Sequence, residues 1–337
     1  MRGSSCLLSK LQIKENRLLP DILHYEPSDM AIWQGREDSL AGERFFQHVL
    51  GQDIRSSSLE SALSTTAIIG FCSDEGIRRN AGRPGAKTGP IALREQLAKL
   101  PCHSTQQFID LGNIVCENQQ LESAQEQFAT LVNYCHQQKF KTVAFGGGHE
   151  IAWGHYSGLC KKYPKLGIIN FDAHFDLRPL QKDSYGTSGT PFWQIADYCQ
   201  QNNLPFHYCC LGIQTHANTQ SLFTAADTFK VQYLTGEQIN KSSFAWQVAF
   251  IDEFILNNEA IYLSICLDVF AESYAPGVSA PQALGLTPWQ ALPLLKYIIQ
   301  TGKVVGIDIA ELSPPLDHNL QTARLAGMIM AELLEFN

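Results

Sequence analysis

The sequence lacks the features that mark membrane and nucleic-acid-binding proteins. Its apolar runs are far shorter than the about 20 residues that a membrane-spanning helix needs, and residues 1–20 lack the apolar core of a signal peptide. Its 25 lysines and arginines are scattered and are outnumbered by 33 acidic residues, so they form no basic surface for a phosphate backbone. We therefore predict a cytoplasmic protein that binds neither membrane nor nucleic acid.

Cys-x-x-Cys pairs are also absent, which excludes a zinc ribbon or a thioredoxin-like motif. The ten cysteines are spread over 337 residues, and most have apolar or helix-type neighbours. This distribution predicts free, mostly buried thiols rather than disulfides.

No repeat, low-complexity tract or flexible linker divides the chain. Six apolar segments rich in β-branched residues predict strands, at 65–72, 141–147, 166–172, 206–213, 260–269 and 303–312. Helix-type segments such as 122–138 lie between them, which predicts an α/β fold: a three-layer αβα sandwich with a mainly parallel central sheet. We interpret residues 31–337 as a single domain and residues 1–30 as an N-terminal extension.

Polar residues gather where four of the predicted strands end. They are "GGGHE" (146–150), "DAHFD" (172–176), "CLD" (266–268) and Glu311. Ligands of an open parallel sheet bind beyond the carboxyl ends of its strands, so these segments are expected to converge on one site.

Asp172, His174 and Asp176 occupy alternate positions, which in an extended chain project from the same face. Two carboxylates and an imidazole suit a divalent ion of the manganese type. The alternative is that the two aspartates cap the next helix and His174 is an ordinary surface residue.

His149 follows three glycines that permit a tight turn and a close backbone approach. The loop lacks the Lys-Ser/Thr of a phosphate-binding P-loop, and Glu150 would repel a phosphate. We expect His149 to bind metal; the alternative is a histidine that is hydrogen-bonded at a turn.

Two further strands supply Cys266, Asp268 and Glu311. A lone acid at the end of a strand is usually solvated or caps a helix. Several acids buried together must share protons or bind a cation.

These motifs, "GGGHE", "NFDAHFDLR", "SICLDVFAESYAPGVSAP" and "DIAELSPPLD", occur in the order and spacing of the ureohydrolase (arginase and agmatinase) family, which the chain resembles. The segment "NAGRPGAKTGPIALREQL" (80–97) is also similar to that family's N-terminal signature. The resemblance extends from about residue 65 to the C-terminus.

The resemblance implies an arginase-like sandwich, a homo-oligomer and a centre of two Mn²⁺ ions per subunit. Carried over by position, the ligands of one ion would be His149, Asp172, Asp176 and Cys266, and those of the other Asp172, His174, Cys266 and Asp268. It also implies that a hydroxide bridging the metals attacks the amidine carbon of a small-molecule substrate. Asp176 would hold that hydroxide, and Glu311 would pair with the substrate's amidinium group.

Cys266 departs from the family pattern S-x-D-x-D, in which an aspartate bridges both metals. Three interpretations follow: a bridging thiolate, a weakened metal site, or an ion other than manganese. A buried cysteine without any ligand role is the fourth.

Arg178 departs from arginases, which carry asparagine there, and the loop "GTSGTPFW" (186–193) lacks their histidine. A guanidinium group at this position predicts a substrate with a carboxylate, bound by Arg178 with help from Ser188. The alternative is that Arg178 pairs with a structural acid such as Asp183.

"GGGHE", "DLR" and "SGTPF" look like the family branch that hydrolyses N-formimidoyl-L-glutamate to L-glutamate and formamide in histidine degradation. Two alternatives stay open: a hydrolase of an acidic guanidino compound such as guanidinobutyrate, and a metal-poor relative without catalytic activity.

Overall fold

A computed structural model describes residue 19 and residues 21–59, 65–180 and 185–335. Its ten strands are β1 (Tyr25–Glu26), β2 (Val49–Gly51), β3 (Thr66–Cys72), β4 (Phe108–Val115), β5 (Lys141–Gly146), β6 (Leu166–Phe171), β7 (His207–Ile213), β8 (Gln232–Thr235), β9 (Ala260–Cys266) and β10 (Val304–Ala310). They form one sheet in the order β1-β4-β3-β5-β10-β9-β6-β7-β8, and β2 also pairs with β4. The β1–β4 pair is antiparallel and the other pairs are parallel.

Helices cover both faces of this sheet. They are α1 (Glu75–Arg79), α2 (Gly89–Ala98), α3 (Leu121–Gln137), α4 (Ile151–Leu159), α5 (Pro191–Gln201), α6 (Gln220–Thr228), α7 (Gly236–Lys241), α8 (Phe244–Leu256), α9 (Pro288–Gln300) and α10 (Gln321–Glu335). Helices α2 and α7–α10 contribute to one apolar cluster, which contains Leu97 and Leu294. Helices α3–α6 contribute to the other, which contains Phe128 and Ile195. The predicted three-layer sandwich with a mainly parallel sheet is confirmed.

Short 3₁₀ helices complete the regular structure of the described residues. They are Phe45–His48, Ala86–Thr88, Thr215–Ala217, Leu267–Val269 and Pro314–Leu316.

The six predicted strands are present with ends shifted by at most a few residues, and α3 matches the predicted crossover helix. Strand β4 was not predicted because its sequence, "FIDLGNIV", places polar residues in a buried strand. The fold satisfies them with the buried Arg94, whose guanidinium donates to Asp110 at 2.8 and 2.9 Å and to Asn113 at 2.8 Å. Trp33 also donates to Asp110, at 2.7 Å.

The predicted N-terminal extension lies mostly outside the described residues, since only residue 19 and residues 21–30 of it are described. Within that part, Tyr25–Glu26 pairs with β4 at the edge of the sheet. Of the residues just beyond it, Trp33 is buried, whereas Arg36 is exposed and pairs with Asp38.

All nine cysteines in the described ranges are free and buried, as predicted for this part of the chain. No helix of the described residues is both long enough and apolar enough to cross a membrane.

Candidate metal centre

The site lies where four adjacent central strands end. In the order β5-β10-β9-β6, the strands lead to His149, Glu311, Cys266 and Asp172. Cys266, the last residue of β9, is level with Ala310, the last residue of β10. The predicted convergence of separate segments on one site is confirmed.

The glycine loop positions His149 by lying against the end of β3. Gly147 donates a backbone hydrogen bond to the carbonyl of Phe71 at 2.8 Å, and Gly148 donates to that of Ser73 at 2.9 Å. A Cβ on Gly147 would lie 1.7 Å from the carbonyl oxygen of Ser73, so no other residue fits there. The predicted close backbone approach of this loop is therefore present.

Glu150, next to His149, holds the segment from Ser73 to the start of α1 in place. Its Oε1 accepts hydrogen bonds from the Ser73 hydroxyl at 2.8 Å and from the backbone N–H of Gly76 at 2.9 Å. Glu150 is buried, and burial raises the pKa of its carboxyl to about 7. The side chain therefore anchors the start of α1 to the glycine loop.

The chain turns after β6 instead of continuing as the extended segment that we assumed for residues 172–176. Asp172 Oδ1 accepts a hydrogen bond from the backbone N–H of His174 at 2.7 Å, and Asp176 has a left-handed backbone with φ of 47°. Glu311, after β10, is also left-handed, with φ of 72°. Non-glycine residues adopt this conformation infrequently, although aspartate does so more readily than most.

These turns bring the predicted ligands together in two overlapping sets. The donor atoms of His149, Asp172 and Cys266 lie within 4.8 Å of one another, as do those of Asp172, His174 and Asp268. Asp172 is common to both sets.

Asp176 joins the first set through His149. The Nδ1 atom of His149 lies 2.9 Å from Asp176 Oδ2 and 3.0 Å from Asp172 Oδ2. In the second set, Nδ1 of His174 lies 3.1 Å from Asp268 Oδ2. All six residues predicted to bind metal are therefore in one cluster.

The acids of this cluster repel one another. Burial and then the charge of Asp172 raise the pKa of Asp176 to about 6, and the same two causes raise the pKa of Asp268. Burial and the charges of Asp268 and Glu150 raise the pKa of Glu311 well above its ordinary value.

The two histidines partly offset this repulsion. Burial alone would lower the pKa of His149, but its contacts with Asp172 and Asp176 raise it well above the ordinary value. The pKa of Asp172 is lowered in turn, because its contacts with His149 and His174 outweigh its burial.

The residues present fit a pair of divalent cations. Oδ1 of Asp268 is buried without a hydrogen-bond partner among the described residues, and such an oxygen needs a cation or a donor. Carboxylates with imidazoles are donors for ions of the manganese type, and the Cys266 sulfur adds one softer donor. Burial and the neighbouring acids raise the pKa of that thiol well above its ordinary value, so only a cation would favour its ionised form.

A cavity of about 220 Å³ opens onto this cluster. Its lining includes Asp176, Cys266 and Glu311, together with Arg178 and Ser188. Glu311 is held in place because its Oε1 accepts the backbone N–H of His149 at 2.9 Å.

Sequence reasoning did not assign a role to Asn80, which connects the two predicted substrate residues. Its Oδ1 accepts a hydrogen bond from Arg178 at 3.0 Å, and its Nδ2 donates to the hydroxyl of Ser188 at 3.2 Å. Asn80 is the first residue of the segment 80–97 that resembles the family's N-terminal signature, so a signal was present. The alternative partner that we considered for Arg178, Asp183, lies outside the described residues.

Comparisons with known proteins agree with this architecture. The sequence pattern of the arginase family matches residues 64–335. A formimidoylglutamase of Legionella pneumophila strain Philadelphia 1 is 58% identical over 320 residues, which cover 95% of this chain and 100% of the relative. A formimidoylglutamase of Clostridium tetani is 39% identical over 308 residues, covering 88% of this chain and 91% of the relative.

A solved structure matches at the level of the fold as well. The crystal structure of Trypanosoma cruzi formiminoglutamase with Mn²⁺ superposes with a TM-score of 0.75 at 26% identity, covering 83% of this chain and 95% of that chain.

The sheet, its two helical layers and the acidic cluster at the strand ends define a hydrolase with the arginase fold. The sequence match covers most of the chain. The chain belongs to the arginase family.

Proposed function

We propose that this hydrolase converts N-formimidoyl-L-glutamate and water to L-glutamate and formamide, a step of histidine degradation. The observation that carries the proposal is one cavity whose lining combines two acidic side chains, Asp176 and Glu311, with a guanidinium group, Arg178. The substrate has the complementary form, with a cationic formimino group at one end and carboxylates at the other. The names of the relatives from Legionella and Clostridium support the same activity.

The cofactor in this proposal is a pair of Mn²⁺ ions per subunit. His149, Asp172, Asp176 and Cys266 would hold one ion, and Asp172, His174, Cys266 and Asp268 the other. Ions bound there would supply Lewis acidity and a water that ionises near neutral pH.

The remaining groups bind and orient the reactants. The Glu311 carboxylate pairs with the formimino cation and places its carbon over the cluster. The Asp176 carboxylate, beside His149, holds the attacking water by a hydrogen bond and takes up its proton. That proton passes to the glutamate nitrogen as its bond to the formimino carbon breaks, which releases L-glutamate and formamide.

Arg178, also in the cavity lining, binds a substrate carboxylate. Asn80 holds one guanidinium nitrogen and the Ser188 hydroxyl, so both donors are oriented before the substrate arrives. In place of this carboxylate agmatine carries a cation, which Arg178 would repel.

A manganese-reconstituted assay tests the proposal. The full chain is incubated with N-formimidoyl-L-glutamate, agmatine or guanidinobutyrate, and formamide, urea and bound Mn²⁺ are measured. We expect formamide from the first substrate and little urea from the other two.

Two results would contradict the proposal. Urea from guanidinobutyrate at a higher kcat/KM would identify a hydrolase of acidic guanidino compounds. Fewer than about one tightly held ion per chain after loading, with no turnover, would indicate a relative without catalytic activity.

A further inference from the structure

A chain of buried polar side chains leads from His149 into the protein, away from the cavity. Nε2 of His149 lies 2.9 Å from the hydroxyl of Ser264 on β9, and that hydroxyl donates to Asp308 on β10 at 2.6 Å. Asp308 Oδ2 lies 2.8 Å from Nδ1 of His155 on α4. Nε2 of His155 lies 2.8 Å from the hydroxyl of Thr142 on β5.

The same chain continues to α3. The Thr142 hydroxyl lies 3.1 Å from Nε2 of His136, and Nδ1 of His136 lies 3.5 Å from the hydroxyl of Tyr163. Six hydrogen bonds therefore link the metal cluster to the layer between the sheet and helices α3 and α4.

Asp308 is the centre of this chain. Its side chain is 0% exposed, and it accepts hydrogen bonds from the hydroxyls of Tyr262 and Ser264. The third neighbour, the ring of His155, is also fully buried. A carboxyl group buried so completely in an apolar layer requires this full set of donors.

The chemistry of these groups fixes the hydrogen on Nε2 of His149. The Ser264 proton is committed to Asp308, so the Ser264 oxygen accepts, and Nε2 of His149 must carry a hydrogen. Nδ1, the atom that lies beside Asp172 and Asp176, is then the ring nitrogen left to bind a cation. When a cation binds, the ring loses any proton on Nδ1 and offers its lone pair to the cluster.

The opposite end of the chain fits the same assignment. Nδ1–H of His155 donates to Asp308, so its Nε2 accepts the Thr142 proton, and the Thr142 oxygen accepts from Nε2–H of His136. Each donor along this part of the hydrogen-bond chain then has an acceptor.

The fold leaves room for this hydrogen-bond chain and encloses it. A Cβ on Gly306 would lie 3.0 Å from Nε2 of His155 and 3.3 Å from the Thr142 hydroxyl. The rings of Phe128 and Tyr262 contact the His155 ring edge-on, with centroids 5.8 and 4.9 Å away. His155 is therefore confined to the orientation that serves Asp308.

We propose that Asp308 and His155 are positioning residues for the metal cluster: His155 orients the Asp308 carboxylate, which through Ser264 keeps a hydrogen on Nε2 of His149 and leaves Nδ1 to bind a cation. The inference rests on the metal role proposed for His149. The sequence supplies no hint of it, because Asp308 and His155 lie in segments that read as ordinary strand and helix.

Manganese affinity without substrate tests this inference. EDTA-stripped full chain is titrated with Mn²⁺ alone, and free Mn²⁺ is followed by electron paramagnetic resonance. Groups that orient a ligating histidine typically change metal affinity by about 10–100-fold. We expect His155→Leu and Ser264→Ala to weaken Mn²⁺ binding by about that factor.

The conservative variant separates orientation from simple packing. His155→Asn places an amide nitrogen where Nδ1 was, so it still donates to Asp308, and we expect Mn²⁺ affinity within about threefold of the wild type. Tyr156→Phe is the matched control on the same helix. It removes a buried hydroxyl that contacts Cys199 and takes no part in the hydrogen-bond chain from His149 to Tyr163. We expect it to lower the melting temperature of the stripped protein without changing Mn²⁺ affinity.

Wild-type Mn²⁺ affinity in His155→Leu and Ser264→Ala would overturn the inference. So would a folded His155→Asn variant that binds Mn²⁺ as weakly as His155→Leu. If His155→Leu does not fold, Ser264→Ala and Thr142→Val supply the comparison, with the larger effect expected for Ser264→Ala. Mn²⁺ affinity is measured without substrate. A failure of the proposed activity can therefore be distinguished from a failure of this inference.

Discussion

Cys266 places sulfur where the ureohydrolase pattern has an aspartate, and its donor atom lies within one of the two clusters. If the thiolate bridges two ions, Cys266→Ala removes a shared ligand. We expect that variant to lose about one Mn²⁺ per chain and at least about tenfold in kcat, since groups that merely orient a ligand cost that much. Metal analysis after loading, together with the formamide assay, measures both.

Cys266→Asp and Cys135→Ala are the matched controls for this experiment. The first restores the family's usual ligand and should keep full metal content. The second removes another buried thiol, in the apolar cluster of helices α3–α6, and should leave metal content unchanged. Full manganese content and rate in Cys266→Ala would show that Cys266 is a core residue without a ligand role.

Arg178 is exposed and has one hydrogen bond to Asn80 among the described residues. A charged hydrogen bond to a substrate carboxylate is worth about 1.5–3 kcal/mol, and exposure reduces that value. We expect Arg178→Ala to raise KM for N-formimidoyl-L-glutamate by about tenfold with a smaller change in kcat. Steady-state kinetics at fixed Mn²⁺ measures the split.

Arg178→Lys keeps the charge but not the planar pair of donors, so its KM should lie between those of the wild type and Arg178→Ala. An unchanged KM in a folded Arg178→Ala variant would exclude the carboxylate clamp.

At the scale of the elements, the long apolar strands were predictable, and β4, which is buried but carries polar residues, was not. Strands β3, β5, β6, β7, β9 and β10 are covered on both faces, so their sequences are nearly continuous apolar runs. Strand β4 carries Asp110 and Asn113, whose partner Arg94 lies on α2. The local sequence around β4 does not indicate this partner, because only the tertiary fold brings Arg94 to it.

The candidate site was also predictable only in part. The rule that parallel strands end at one edge was enough to bring together the six predicted ligands and Glu311. The turn at 172–176 could not be read from the sequence, because the alternating pattern signals neither the left-handed backbone of Asp176 nor the hydrogen bond from the His174 N–H to Asp172. Asn80 was missed because its importance comes from two contacts across about 100 residues of chain, to Arg178 and Ser188.

At the scale of the whole molecule, the core holds a histidine that resists protonation. Burial, and then the charges of His155 and Lys162, lower the pKa of His136 to about 3. Its other neighbours are the hydroxyls of Thr142 and Tyr163. In the unfolded chain an ordinary histidine titrates near 6.5, so between about pH 6.5 and 3 the unfolded state binds a proton that the folded state does not.

The free energy of unfolding should therefore fall as the pH drops through this range, by about 1.4 kcal/mol per pH unit for this one group. Urea unfolding of the EDTA-stripped chain between pH 7 and 5 measures the slope. His136→Gln can still donate to Thr142. In this variant the number of protons taken up on unfolding, which sets the slope, should be smaller by about one. Equal slopes in the two proteins would show that His136 does not set the acid sensitivity.

The buried thiols affect how quickly the protein is oxidised. Eight of the nine cysteines in the described ranges are buried and, unlike Cys266, do not line the cavity at the metal cluster, so an oxidant reaches those eight only when the chain opens. An opened chain can form disulfides that the native packing does not accommodate, and it then cannot close again. For these eight thiols the rate of oxidation is therefore governed by how often the chain opens, a kinetic barrier, and not by the equilibrium between folded and unfolded states.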